Sequence, residues 1–267
     1  MSDEIRLGGM ALSNGVLVHG PRAWACAVRG ADGELEVASA YKTFRSSDVT
    51  VPFLRGPLKI AEVFALLPAL RRELPEARLP LERPRVAAAL VASAVAVKSV
   101  RGSRLGPLAQ ELVAALAAVA PAALSLRDSA VAEYHGAEHI SIGTYEHGEQ
   151  REREHERCGS HLLGPLLLTS AAGSLLAGRA PAQFRGLARA GAAVGALATS
   201  VEVFSWMLRN EEHPVARALA RPGHELQRRF ATAEPSPDQL EVAEAALAAC
   251  LKLERDGSRD TEEAPPT

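Results

Sequence analysis

Hydrophobic and polar positions fall into two regimes along the chain. Between residues 8 and 45 the pattern is short and often interrupted. Trp24 to Val28 and Leu35 to Val37 flank Ala31-Asp32-Gly33, which favours a tight hairpin, and Gly8, Gly9, Gly15, Gly20, Gly30 and Gly33 punctuate the stretch. This predicts a small N-terminal β-hairpin or meander unit over residues 1–56. From Pro57 the period changes: Ile60, Val63, Phe64, Leu66, Leu67 and Leu70 recur at helical spacing as far as a charged, proline-containing stretch at 71–85.

Four stretches free of Asp, Glu, Lys and Arg follow, at Val86–Val97, Leu112–Leu126, Cys158–Gly178 and Ala190–Val201. Only the third reaches the ~20 residues that a bilayer core requires. It also holds Pro165, four glycines and several hydroxyl residues, and Ala-rich helices pack in soluble bundles as well. Composition therefore leaves a transmembrane bundle and a soluble one open. Gly164, Gly173, Gly191 and Gly195 suit close helix crossing in either solvent. Near the end, Leu240, Val242, Ala243, Ala246, Leu247, Cys250 and Leu251 form one stripe of a helix over Pro237–Leu253, opposite Glu241, Glu244 and Lys252. Residues 255–267 carry little to bury and are expected to be a disordered tail. The fold class expected is mainly α: a helical domain over 57–254 behind the β unit.

Composition sharpens this picture. Aromatic residues make up only 4% of a chain that is 47% hydrophobic, which favours long helices over a β-sandwich. A formal net charge of −2, from 30 basic and 32 acidic residues, gives no pull toward nucleic acid. Cys26, Cys158 and Cys250 are odd in number and widely spread, so no disulfide framework is implied and a reducing compartment suits them. Met1–Arg6 is acidic and polar, unlike a secretory signal, so secretion is disfavoured.

The chemistry concentrates in one place. His135, His139, His147, His155 and His161 fall within 27 residues, out of eight histidines in all. Tyr134-His135-Gly136-Ala137-Glu138-His139 contains H-x-x-E-H, which on a helix sets two imidazoles one turn apart on one face with Glu138 beside them as a base. Asp128 or Ser129 can cap such a helix and Gly148 can end it. Gly136 in its middle costs ~1 kcal/mol relative to Ala, which implies a close approach there. His155-Glu156-Arg157-Cys158-Gly159-Ser160-His161 adds imidazole and thiolate donors of the kinds that bind zinc. His147 and His161 read more simply as surface or capping histidines. If 160–178 and 187–208 form a helical hairpin, Glu202 lies level with the Cys158 end. An acidic residue in so apolar a helix needs either a metal or a cationic partner such as Arg209 or Arg157.

At these residues the sequence resembles the YqhQ-like family, a bacterial domain of unknown function whose members are described as predicted metal-dependent enzymes with transmembrane helices. The resemblance runs through Gly8-Gly9, Asn14-Gly15-Val16, Gly20-Pro21-Arg22 and Pro52-Phe53-Leu54-Arg55-Gly56. It continues through Tyr134 to His139, Tyr145-Glu146 with Gly148, His155 with Arg157-Cys158-Gly159-Ser160, and Ser200 with Glu202. Pro222-Gly223, Leu226-Gln227, Glu234-Pro235 and Glu241-Val242-Ala243 complete it. The chain departs from the family at Met10, at Asn14 and at His224-Glu225, where members carry Gln, Glu and an aromatic segment. The resemblance implies a metal-binding protein of the cell membrane, or of the cytoplasm if the helices do not insert.

Two functional readings follow. In the first, a divalent metal, expected to be zinc, sits on His135 and His139 with Glu202 or His155 as third ligand, and Glu138 activates water for hydrolysis of a peptide-type bond. In the second, His135, His139, His155 and Cys158 close a structural metal site without catalysis. A third stands beside these two, in which the chain has lost its metal and keeps a scaffold or partner-binding role. Arg157, Tyr134 and Glu146 are further site candidates, and the pattern names no protein partner and no oligomeric state.

Overall fold

The computed structural model describes residues 5–126 and 130–262. Four strands, β1 (Gly8–Ala11), β2 (Gly15–His19), β3 (Ala23–Arg29) and β4 (Leu35–Tyr41), form an antiparallel meander in chain order. The turn between β3 and β4 lies where Ala31-Asp32-Gly33 predicts it, with Gly33 at φ 87°. Val16, Val18, Ala25 and Ala27 bury one face of the sheet, while Leu17, Trp24, Cys26 and Val28 bury the other. A sheet covered on both sides explains the unbroken apolar runs of β2 and β3, where a half-solvated strand would alternate.

The covering elements come from far along the chain. Helix α1 (Arg55–Glu73) lays Leu66 and Leu70 on the second face. Helices α4 (Ala130–His147) and α8 (Pro237–Glu262) cover the first, with Val131, Ala137, Val242, Ala246 and Cys250 in its core. Between them, α2 (Pro84–Arg101) pairs with α3 (Pro107–Leu126), and α5 (Leu163–Gly178) pairs with α6 (Arg185–Arg209). Thr169 Oγ1 donates to the Ala196 carbonyl at 3.0 Å across the second hairpin, and Ser93 Oγ donates to Ala117 at 2.6 Å across the first. Helix α7 (Pro214–Leu226) follows and runs into one wide π turn, Gln227–Ala231. The protein is thus mainly helical with a small N-terminal sheet, as its pattern predicts.

Among the described residues, two continuous helical segments, Gly159–Gly178 and Ala182–Arg209, are long and apolar enough to cross a membrane, and only 22% of the most apolar 18-residue stretch of each is buried inside the protein. At ~1.5 Å rise per residue, the shorter spans about 30 Å. Leu168, Leu176, Leu187 and Val194 point outward from them.

One expectation is corrected. Residues 255–262 are helical, because α8 continues to Glu262 and is anchored to the sheet. Glu254 is buried and accepts the amides of Arg22 and Ala23, both at 2.7 Å, while Arg22 Nη1 donates to the Gly257 carbonyl at 2.8 Å. Polar composition signals disorder only where backbone and side chains find no partners. The rest of the expected tail, 263–267, lies outside the described residues, as do the capping candidates Asp128 and Ser129. Gly148 does end α4, at φ 68° with its amide on the Thr144 carbonyl.

Gly136 meets the close approach that its cost implies: a Cβ there would lie 2.2 Å from the Ala233 carbonyl oxygen. Gly191 in α6 has open space at the same position. Substituting Ala for Gly in a helix gains up to ~1 kcal/mol, and forcing an atom into a packed contact costs ~1–3 kcal/mol. Gly136→Ala is therefore expected to lower the thermal unfolding midpoint, and Gly191→Ala to hold or raise it. A Gly136→Ala protein as stable as wild type would contradict this packing.

Candidate metal centre

Helix α4 supplies three of the key groups. One ring nitrogen each of His135 and His139 and the Cys158 Sγ lie within 4.8 Å of one another, and together they could hold a metal ion. Their other atoms explain why they face inward. His135 Nδ1 lies 2.8 Å from the Ala231 carbonyl, and His139 Nδ1 lies 2.7 Å from the Arg153 carbonyl. A carbonyl only accepts, so each Nδ1 must carry the proton. With each ring neutral, as a bound cation would require, Nε2 carries the lone pair, in the second-sphere arrangement that orients metal-binding histidines. The ring centroids are 4.3 Å apart, and His139 is 2% exposed.

Cys158 comes from the loop after α4. It precedes a short 3₁₀ turn, Gly159–Leu162, and its sulfur accepts the Ser160 amide and lies 3.5 Å from His135 Nε2. Burial pushes the thiol pKa up, but the His135 and His139 imidazoles beside it win and hold it well below the ordinary value. Burial likewise lowers His135, and the Cys158 sulfur with Glu138 overcomes it, raising His135 to about 9. In the absence of a cation these two groups make an imidazolium–thiolate pair.

Glu138 Oε2 stands 3.8 Å from His135 Nε2 and 4.0 Å from His139 Nε2. The carboxylate fits because β1 passes over it at Gly9, where a Cβ would fall 2.3 Å from Glu138 Oε1. The N-terminal sheet therefore forms one wall of the centre.

The two expected third ligands are engaged elsewhere. His155 Nδ1 accepts the Arg157 amide at 3.2 Å, so its proton is on Nε2, which donates to Glu146 Oε2 at 3.1 Å. No ring lone pair remains for a cation, although the ring lies 5.5 Å from that of His139. Arg157 binds the other oxygen of Glu146, so His155, Glu146 and Arg157 form one network at the edge of the centre. Glu202 stands outside the donor group. Arg55 grips it through Nε at 2.9 Å and through Nη2, and the Phe53 amide reaches Oε1 at 3.0 Å. Phe53 adopts φ 66° to present that amide, and Gly56 lets α1 meet Val201 without a Cβ between them. Tyr134 packs in the core between α4, α8 and the sheet. His147 bonds back to the Gly143 carbonyl at 3.0 Å, and His161 stacks parallel to Phe204.

Gln227 is a residue beside the candidate centre that residue-by-residue reasoning does not single out. It is fully buried, and its amide oxygen accepts the His155 amide at 2.9 Å. Its nitrogen contacts the His155 carbonyl at 3.2 Å, Ser160 Oγ at 2.8 Å and His161 Nδ1 at 3.2 Å. One side chain thus pins both ends of the loop that carries Cys158. Its only sequence signal is a place in the resemblance.

The perturbed thiol is directly measurable. In metal-free protein at neutral pH, Cys158 is expected to be the first cysteine alkylated by iodoacetamide, followed by mass spectrometry. Cys26 and Cys250, both pushed up to about 12 by burial, are expected to resist. His135→Ala should slow the Cys158 reaction at pH 7 by raising its pKa.

Residues 125–253 match the model of the family described as "Protein of unknown function (DUF1385)". Neither a curated protein nor a solved structure matches the chain. The matched segment holds α4, the Cys158 loop, the α5–α6 hairpin and Gln227, and the YqhQ-like family is this same family. Over residues 125–253, a little under half of the chain, the sequence is accordingly similar to the DUF1385 family.

Proposed function

We propose that this protein is a membrane-associated, metal-dependent hydrolase, with a divalent cation of zinc type on His135 Nε2, His139 Nε2 and Cys158 Sγ. The observation that carries the reading is the pair of Nδ1 bonds to the Ala231 and Arg153 carbonyls, which commits both Nε2 lone pairs to one point beside a thiolate. Two imidazoles and a sulfur suit zinc, and three protein ligands leave a fourth position open. A zinc ion bound there supplies Lewis acidity and brings the pKa of water toward ~7.

Glu138 is the base in this reading. Its Oε2 lies beside both Nε2 atoms, where it can take a proton from water and return it to a leaving group. Gly9 and the surrounding core hold the carboxylate against swinging away. A peptide or amide bond is the favoured substrate, because the order H-x-x-E-H is shared with inverted zinc peptidases. Glu202 acts in this scheme as the buttress that ties the Pro52–Gly56 turn to α6. Membrane association is supported by the two long apolar helices and by the leucines and valines they turn outward.

A second reading has its own observation. Glu138 is close enough to both histidines to serve as a fourth ligand, which would close the site and make the metal structural.

Elemental analysis of purified protein separates them. About one zinc per chain is expected in wild type, and loss of most of it in a protein with His135 and His139 both replaced by Ala. Glu138→Gln should keep the metal and lower peptide-bond hydrolysis by ~10²–10⁴-fold. Metal lost with Glu138→Gln would favour the closed site, and a metal-free wild type would overturn both readings. For the membrane reading, the protein should remain in the pellet when cell membranes are washed with alkaline carbonate, and release into the wash would count against it.

A further inference from the structure

A cavity of about 830 Å³ lies on the far side of β1 from the candidate metal centre. Neighbouring residues of a strand face opposite ways. Gly9 meets Glu138, while Gly8 lines the cavity and abuts His19, its partner on β2. The cavity opens between the sheet and the first turns of α1, and its walls carry Arg6, Arg22, Lys42 and Lys59.

The charges of this cavity are unbalanced. Lys42 is buried and neutralised by Glu62 behind it, with Nζ 3.0 Å from Oε1. Glu254, the carboxylate in the lining, is occupied by the amides of Arg22 and Ala23. Burial and the nearby Lys42 depress His19 to about 4, so it is neutral at pH 7. Arg6 and Lys59 are exposed at the mouth, and among the described residues neither has a hydrogen-bond or ion-pair partner. Counting Arg6, Arg22 and Lys59 against Glu254 leaves an excess of two positive charges. Ser46 and Ser47 add polar lining, while Ile60 and Val63 make an apolar side. A cationic mouth beside an apolar wall matches an amphipathic anion.

Its place in the fold points the same way. Arg6 and Lys59 also line a neighbouring groove with Leu208 and Arg209, where the apolar α6 ends. On the membrane reading proposed above, that is the level at which a helix leaving a bilayer meets headgroups.

We infer that this cavity is a binding site for a phosphate-bearing ligand, with the anion held between Arg6 and Lys59 and any acyl portion along Ile60 and Val63. The inference stands apart from the metal reading, since no donor of the metal centre lines the cavity.

The test is titration calorimetry on the full chain in a non-ionic detergent, with dihexanoyl phosphatidate and inorganic phosphate as separate probes. Phosphatidate is expected to bind, and binding should weaken with added NaCl. Arg6→Gln combined with Lys59→Gln should weaken it at least about tenfold, because two charge-assisted contacts go. Lys252→Gln, an exposed cation on α8, should leave it unchanged, and matching circular dichroism spectra would show that the double variant folds. Phosphatidate binding tighter than phosphate identifies a lipid headgroup as the source. Equal affinities, both lost in the double variant, identify free phosphate and still support the site. Absence of binding by both probes, or a double variant that binds like wild type, overturns the inference.

Discussion

Two hydrogen bonds from imidazole nitrogens to main-chain carbonyls decide what the centre can be. A histidine on a helix has two rotatable bonds and two tautomers, and without restraint its nitrogens point to no shared target. The Ala231 and Arg153 carbonyls remove both freedoms, since each can only accept and so each fixes the proton on Nδ1. The Cys158 sulfur and the Glu138 carboxylate then acquire meaning, as groups gathered round two fixed lone pairs. The surrounding structure serves these carbonyls: Gln227 sets the loop on one side, and the close pass of Ala233 over Gly136 sets the chain on the other.

Much of this architecture can be read from the chain. The change from interrupted, glycine-rich runs to helical spacing at Pro57 gives the sheet and the helices their order, and the four charge-free stretches become α2, α3, α5 and α6. Gly136 announces a close contact because a glycine mid-helix is unfavourable unless something needs the space. The helical end at 255–262 is not legible, because its stability comes from Glu254 and Arg22 meeting across more than two hundred residues. Composition reports what a segment can bury and is silent on which distant groups will bind its backbone.

The centre divides in the same way. The spacing of His135, Glu138 and His139 is local, so one helical turn suffices to place them. The third candidate donor, Cys158, comes from a loop and therefore depends on long-range partners. His155 and Cys158 are three residues apart, and what separates their roles is the Arg157 amide occupying the one ring nitrogen of His155 that Glu146 leaves. Glu202 shows how a sound inference about cost can meet either of two solutions. Its carboxylate does need a counter-charge, and the hairpin does bring its helix against the Cys158 turn, yet Arg55 from α1 arrives to supply it. Nothing in the spacing of Arg55 and Glu202, 147 residues apart, foretells that meeting.

The wide turn at Gln227–Ala231 makes the arrangement a matter of residue count as well as residue type. Its closing bond runs from the Thr232 amide to the Gln227 carbonyl, five residues back, where an α-helix would close over four. The additional residue swells the last turn, so the Gln227 amide can face the loop while Ala231, at the mouth of the helix, turns its oxygen to His135. Shortening this turn by one position would swing all that follows by roughly 100°. A deletion that leaves every donor atom intact would therefore still unlatch the first imidazole.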